Sequence, residues 1–185
     1  LLAGGALGDL RLVEIRQSSW MDESNPYFHT AWRTQPKFVG GFVLDAGVHL
    51  AHLVRRFFGR PVELHSLTAR FNPGLPPIDT ALGILRFQSG AVGTWLSSFS
   101  CEAAGPMLTL RGSRATLELH WDHAILKPRQ GRERAFRSSA DSYGLQFEHF
   151  ADAVLQHKKP AYAPVEALAD LALMESIVRG SILKP

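Results

Sequence analysis

Two stretches alternate apolar and polar residues with the two-residue period of a strand, Thr80 to Phe87 and Ala91 to Phe99. Gln88-Ser89-Gly90 between them predicts a hairpin turn. Met107 to Leu110 and Thr116 to Trp121 flank Gly112-Ser113-Arg114, a second hairpin, and Ala124 to Lys127 with Arg132 to Arg137 suggests a third. Val62 to Phe71 reads as a further strand. Leu10, Leu12, Val13 and Ile15 mark a β-like run from Asp9 to Gln17, after a glycine-rich loop at 4–8. Short sequential hairpins predict an antiparallel meander.

Three segments change to a helical period. The first starts near Gly41 or Phe42 and runs to about Phe58, with Gly59 stopping it and Pro61 beyond. On a helical wheel Phe42, Val43, Ala46, Leu50, Leu53, Val54, Phe57 and Phe58 share one broad face, expected to pack on the sheet. A second helix, Ser142 to His157, is expected to bury Leu145, Phe147, Phe150 and Val154, with Lys158-Lys159-Pro160 ending it. A third starts at Pro164, a good first-turn residue, and runs to about Val178, with Leu168, Leu171, Ala172, Met174 and Ile177 among its apolar positions. Ser18 to Lys37 has no periodicity and is a long connection of the kind that often carries function. The chain has no internal repeat. The expected class is α+β: one open, largely antiparallel sheet with helices packed on one face.

Composition changes this picture little. The chain has 185 residues, 45% hydrophobic and 20% charged, which suits one domain with a sizeable core and argues against global disorder. A single cysteine, Cys101, allows no disulfide within the chain. A reducing compartment, the cytoplasm, is expected, with Cys101 a buried or half-buried structural thiol. No apolar run reaches the roughly 18–20 residues that span a bilayer, so no membrane partner and no signal peptide are expected. The net charge of +3 is too mild to argue for nucleic acid. The arginines between Arg129 and Arg137, interrupted by Glu133, read as a solvated strand and loop.

The first helix carries the chemistry. Asp45, His49, His52 and Arg56 recur at i, i+4, i+7 and i+11 on the face opposite the apolar one. An ordinary solvated face favours Lys, Glu and Gln, which are better helix formers than Asp and His. Asp45 is expected in the first turn, where the helix dipole favours its charge. His49, one turn on, can sit beside that carboxylate, which would favour the imidazolium and orient the ring. Such a pair suits acid/base work on a hydroxyl or carbonyl; the alternative is a solvated stripe with no role. Gly40-Gly41 lets another backbone or a ligand approach closely. Asp45, His49 and His52 could also suggest a metal-dependent lyase or hydrolase, but no fourth ligand lies nearby and no metal is expected. His120 and His123 read as incidental surface residues, and Glu148, His149 and Asp152 as solvent-facing. Ser97, Ser98 and Ser100 form no nucleophile elbow.

Gly40-Gly41-Phe42-Val43-Leu44-Asp45-Ala46-Gly47-Val48-His49 resembles the G-G-x-x-x-D-x-G-x-H segment of the glucose–fructose oxidoreductase / inositol dehydrogenase / rhizopine-catabolism (Gfo/Idh/MocA) family. Gly5 to Asp9 resembles the opening of that family's second domain, and Trp32-Arg33 the W-R pair ahead of the glycines. Phe87 to Ala91 resembles its F-x-x-G hairpin, and Leu108 to Gly112 the strand after it. Phe147 to Phe150, Lys159-Pro160 and Glu166-Ala167-Leu168 resemble its closing helices. The resemblance covers essentially the whole chain, and the D-x-G-x-H element is its specific part.

The resemblance implies that residues 1–185 are a single substrate-binding and dimerisation domain, the C-terminal half of a two-domain NAD(P)-dependent oxidoreductase. The implied reaction is hydride transfer between a nicotinamide and a sugar, polyol or similar alcohol. His49 would be the acid/base and Asp45 its polar neighbour. Trp32, Arg33 and Tyr143 would reach the NAD or NADP, and His52, where the family commonly has Asp, would face the substrate. The Rossmann half and the family's lysine in an E-K-P segment are absent from this sequence; Gly4, Gly5 and Gly8 have the wrong spacing for G-x-G-x-x-G. The chain opens on Leu1, so it is expected to be a piece of a longer enzyme and inactive alone. Expected partners are the missing domain, a small sugar-like substrate and a second copy across the sheet face. The alternative is a non-catalytic dimerisation or interaction module.

Overall fold

The computed structural model describes residues 5–180, apart from 36, 38, 103, 138–140 and 161. Its elements are β1 (Leu10–Ser18), α1 (Ala31–Thr34), α2 (Gly41–Phe58), β2 (Pro61–Ala69), β3 (Thr80–Phe87) and β4 (Val92–Ser98). They continue with β5 (Leu108–Gly112), β6 (Ala115–Leu119), β7 (His123–Pro128), β8 (Arg134–Arg137), α3 (Ser142–Leu155) and α4 (Pro164–Val178). The strands form one sheet in the order β2-β3-β4-β1-β5-β6-β7-β8. Each neighbouring pair is antiparallel except β1 with β4. The expected α+β class and the three hairpins are present.

The meander is interrupted once. β1 lies mid-sheet between β4 and β5, because the chain leaves it through the 19–40 connection and α2, then starts again at the far edge with β2. A crossover of that length permits the parallel pairing that a tight hairpin cannot make. Trp20 and Ser100 extend the contact as an isolated bridge.

One face of the sheet is covered. Ala81, Leu85 and Phe87 of β3, Trp95 of β4 and Val13 and Ile15 of β1 point inward and are buried. α2 covers them with Phe42, Val43, Leu50, Ala51, Val54 and Phe58, and α4 adds Leu173, Met174, Ile177 and Val178. Gly47, inside the D-x-G-x-H element, has a packing reason: a Cβ there would run into the Met174 thioether and touch Trp95. The opposite face is open, with Leu82, Ile84 and Val92 exposed and Leu67 76% exposed.

One expectation fails at α3. Leu145, Phe147, Phe150 and Val154 are 45%, 71%, 62% and 56% exposed, and Ala153 is the one buried residue among the described side chains of the helix. Apolar spacing shows that a face is built for burial, but not that this chain supplies the cover. Cys101 is likewise exposed rather than buried, because it follows β4 in an irregular loop outside the layered core. Glu148, His149 and Asp152 are exposed as expected. No described helix is long and apolar enough to cross a membrane.

Candidate functional site

α2 begins with two successive glycines in positive φ, Gly40 at 82° and Gly41 at 46°. A Cβ on Gly41 would meet Arg33 O at 2.7 Å and Pro76 O at 3.1 Å. The close approach expected here is therefore made by two backbone carbonyls of the protein. α1 precedes the glycines, where a diphosphate-binding turn has a strand. Gly40-Gly41 sets α2 against α1, which positions the next side chains.

Arg33 Nε donates to Asp45 Oδ2 at 2.8 Å. The guanidinium lies over the rings of Trp32 at 4.3 Å and Tyr27 at 4.9 Å. Aromatic faces and a carboxylate thus hold one cation from several sides. The W-R pair and the aspartate, 12 residues apart, meet in one cluster. Two expectations are corrected. Asp45 lies beyond the first turn, because α2 starts at Gly41. Its partner is Arg33: among the described residues no hydrogen bond joins Asp45 to His49. His49 itself is exposed on the same stripe of α2. Trp32 is 41% exposed, an indole with an open side beside Arg33. Tyr143 is exposed at the start of α3, and no described contact brings it to Trp32 or Arg33.

His52 belongs to a different group. Its Nδ1 lies 3.1 Å from Asp170 Oδ2, and Tyr162 donates to the same oxygen at 2.7 Å. Arg55 donates to Asp170 Oδ1, to Glu166 O at 3.0 Å and to Glu166 Oε2 at 2.9 Å. The carboxylate can only accept, so His52 Nδ1 carries a proton toward it. The His52 ring stands edge-on to Tyr162, 4.7 Å between centroids. Asp170 is 1% exposed, and its three donors offset the cost of burying its charge. Burial opposes the Arg55 charge, but the bonds to Asp170 and Glu166 outweigh it and hold its pKa above the usual value. A space of about 500 Å³ opens beside His52, Arg55, Arg56, Tyr162 and Glu166.

Sequence reasoning missed Asp170, Arg55 and Tyr162. The available signal was an aspartate between Ala169 and Leu171, within the apolar middle of its helix. It also missed Asp79, which is fully buried and accepts from Phe71 N at 2.8 Å, Asn72 N at 2.6 Å and Thr80 Oγ1 at 2.9 Å. That carboxylate ties down the loop ahead of β3, including the Pro76 carbonyl against Gly41.

His120 and His123 are half-buried and stacked, 4.2 Å between centroids and 6° apart in plane. His123 Nδ1 is 2.6 Å from Asp122 Oδ1, and this bond holds the Asp122 carboxyl below its usual pKa. Ser97 and Ser98 are buried and bonded within the sheet, to Trp95 Nε1 and Thr80 Oγ1. Among the described residues no three His, Cys, Asp or Glu converge as a metal site. Asp45 is engaged by Arg33 and His52 by Asp170, which separates the three residues of the metal reading.

Burial and then the bond to Asp170 push the Tyr162 phenol up to about 12. The neutral phenol is favoured in the fold, so its contribution to stability is full below the ordinary tyrosine pKa of about 10 and is lost as pH rises toward the folded value. An ultraviolet tyrosinate titration is expected to show a late component near pH 12 that disappears in Tyr162→Phe.

A family model described as the GFO/IDH/MocA C-terminal domain matches residues 1–118. Dehydrogenase FPY6 of Fusarium mangiferae is 30% identical over 95% of this chain and 52% of its own length. An uncharacterized protein of Saccharomyces cerevisiae is 25% identical over 85% of this chain and 50% of its own. The crystal structure of an oxidoreductase from Thermotoga maritima superposes with a TM-score of 0.88 at 32% identity, covering 99% of this chain and 55% of that one. The chain thus spans about half the length of the curated relatives it matches. With the Gly-Gly start of α2, its Asp45–Arg33 cluster and its one-sided open sheet, this 185-residue chain belongs to the GFO/IDH/MocA C-terminal domain family of oxidoreductases.

Proposed function

We propose that this chain is the substrate and acid/base half of an NAD(P)-dependent oxidoreductase acting on an alcohol, a sugar or polyol by class. The carrying observation is the polar stripe of α2, where His49 is exposed one turn from an Asp45–Arg33–Trp32 cluster that is already ordered. When bound, NAD or NADP supplies the hydride acceptor and donor. The residues here suit contact with its nicotinamide end only: Trp32 offers an open indole face and Arg33 a fixed cation. Tyr143 is exposed and free to meet a domain that closes over α3.

His49 takes the proton of the substrate hydroxyl as the C–H hydrogen leaves as hydride, and returns it in the reverse direction. Asp45 keeps Arg33 and the aromatic rings in place rather than acting on His49. His52, oriented by Asp170, lines the open space beside it, where a substrate hydroxyl can bind. Residues 1–185 form a single domain in this reading, and the dinucleotide is held mainly by a part of the full-length protein outside these residues. The full-length protein is expected to reduce NAD or NADP with a polyol. The isolated chain is expected to do neither that nor release heat with either dinucleotide. Turnover by the isolated chain would contradict the reading.

The open sheet face favours a second role for the same chain, as a dimerisation module. Leu67, Leu82, Ile84 and Val92 form an exposed apolar strip on β2, β3 and β4, suited to a second copy. Light scattering is expected to give a dimer, and Ile84→Lys with Leu67→Lys a monomer. A wild-type monomer would remove the module reading. The cytoplasm, a reducing compartment, is the setting that accords with the lone, exposed Cys101.

A further inference from the structure

Gln17 and Ser18, at the end of β1, carry buried polar atoms that nothing in the described chain satisfies. Gln17 Nε2 donates to Ala46 O of α2 at 3.1 Å. A carbonyl only accepts, so this bond fixes which way the amide points. Gln17 Oε1 is therefore the amide atom left buried and without a donor. Ser18 Oγ is buried and unpartnered as well. Both residues line one cavity of about 160 Å³, bounded by Trp121 and by the loop at Gly105 and Pro106. Arg16 lines it too, and among the described residues no carboxylate pairs with that guanidinium.

These groups have a joint chemistry. Oε1 of Gln17 asks for a hydroxyl donor, the Ser18 hydroxyl can donate or accept, and Arg16 asks for an anion. The space equals the share of about five waters at roughly 30 Å³ each. Water would satisfy Gln17 and Ser18 and solvate the exposed Arg16, whereas an anion would in addition give that guanidinium a counter-ion. A carboxylate with a hydroxyl on the adjacent carbon meets all three. The exposed Trp121 indole adds an apolar wall of the kind a sugar C–H face lies against.

We propose that the Arg16–Gln17–Ser18 cavity binds the carboxylate end of a hydroxy acid, so that the substrate class is a polyhydroxy acid such as an aldonate. Arg16 and Ser18 Oγ donate to the carboxylate, and Gln17 Oε1 accepts from the neighbouring hydroxyl. This rests on reading the chain as the substrate half of an oxidoreductase. Gln17 connects the cavity to Ala46, next to Asp45, on the helix that bears His49.

The test is calorimetric titration of the full-length protein with D-gluconate and with D-glucitol, which carries a neutral CH2OH in place of the carboxylate. Gluconate is expected to bind at least about tenfold more tightly, the size of one good charge-assisted contact. Arg16→Met, at an exposed position, is expected to bring gluconate down to the glucitol level, and Ser18→Ala to weaken it less. Equal binding of the two probes, indifference of gluconate to Arg16→Met, or no gluconate binding would each overturn the proposal. Any of those results alongside hydride transfer from neutral polyols leaves the oxidoreductase reading standing. Gluconate binding that depends on Arg16, in a protein that reduces neither NAD nor NADP, supports the site and sinks that reading instead.

Discussion

His49→Ala in the full-length protein is expected to lower kcat/KM by about 100- to 10,000-fold, the range for losing a positioned acid/base group. The loss should fall mainly on kcat, because the proton moves in the transition state rather than in substrate binding. Dinucleotide affinity should be nearly unchanged, since His49 lies exposed on α2 and would act on the substrate hydroxyl rather than hold the dinucleotide. The scaffold around it is independent of the imidazole: Gly47 packs on Met174, and Asp45 holds Arg33. A fall in kcat/KM that came entirely from KM would instead make His49 a binding residue. A variant as active as wild type would remove it from the chemistry.

Asp170→Ala carries the largest expected effect on stability, a loss of about 3–5 kcal/mol, as for breaking one member of a buried ion pair. The substitution removes the acceptor for His52, Tyr162 and Arg55 together and leaves the Arg55 guanidinium, 11% exposed, with Glu166 alone. That network connects α2 to α4, the two helices that cover the core. Against a typical total of about 5–15 kcal/mol, the variant is expected to sit near the edge of folding. Urea denaturation measures the change directly, with the slope unchanged if the denatured state is the same. Asp170→Asn keeps an acceptor oxygen and is expected to lose less. A loss below about 0.5 kcal/mol for Asp170→Ala, the level of an ordinary surface change, would show that the network does not hold the helices together.

Local pattern was legible in this sequence wherever both the element and its cover lie within the chain. α2 and α4 start and stop where glycine, proline and apolar spacing place them, and β3 with β4 alternates inward and outward as the two-residue period requires. The same logic misjudged α3, whose apolar side chains have the right spacing but no cover among the described residues. The mid-sheet place of β1 was not legible, because strand order over a long crossover leaves no mark in local periodicity. At the site, the stripe on α2 located Asp45 and His49 but assigned Asp45 the wrong partner. Arg33 reaches it from a separate turn that the stripe alone does not encode. Asp170 and Asp79 were missed for a related reason. A single acidic residue among apolar neighbours reads as a local irregularity until the fold brings its donors to it.

The most direct test of the central claim is hydride tracing. The full-length protein is incubated with NAD or NADP and a polyhydroxy substrate deuterated at its oxidised carbon, and the reduced cofactor is examined by mass spectrometry. The account predicts one deuterium transferred to the nicotinamide by wild type and a rate reduced by about 100-fold or more in His49→Ala. Reduced cofactor without deuterium, or equal rates of transfer in the two proteins, would contradict it.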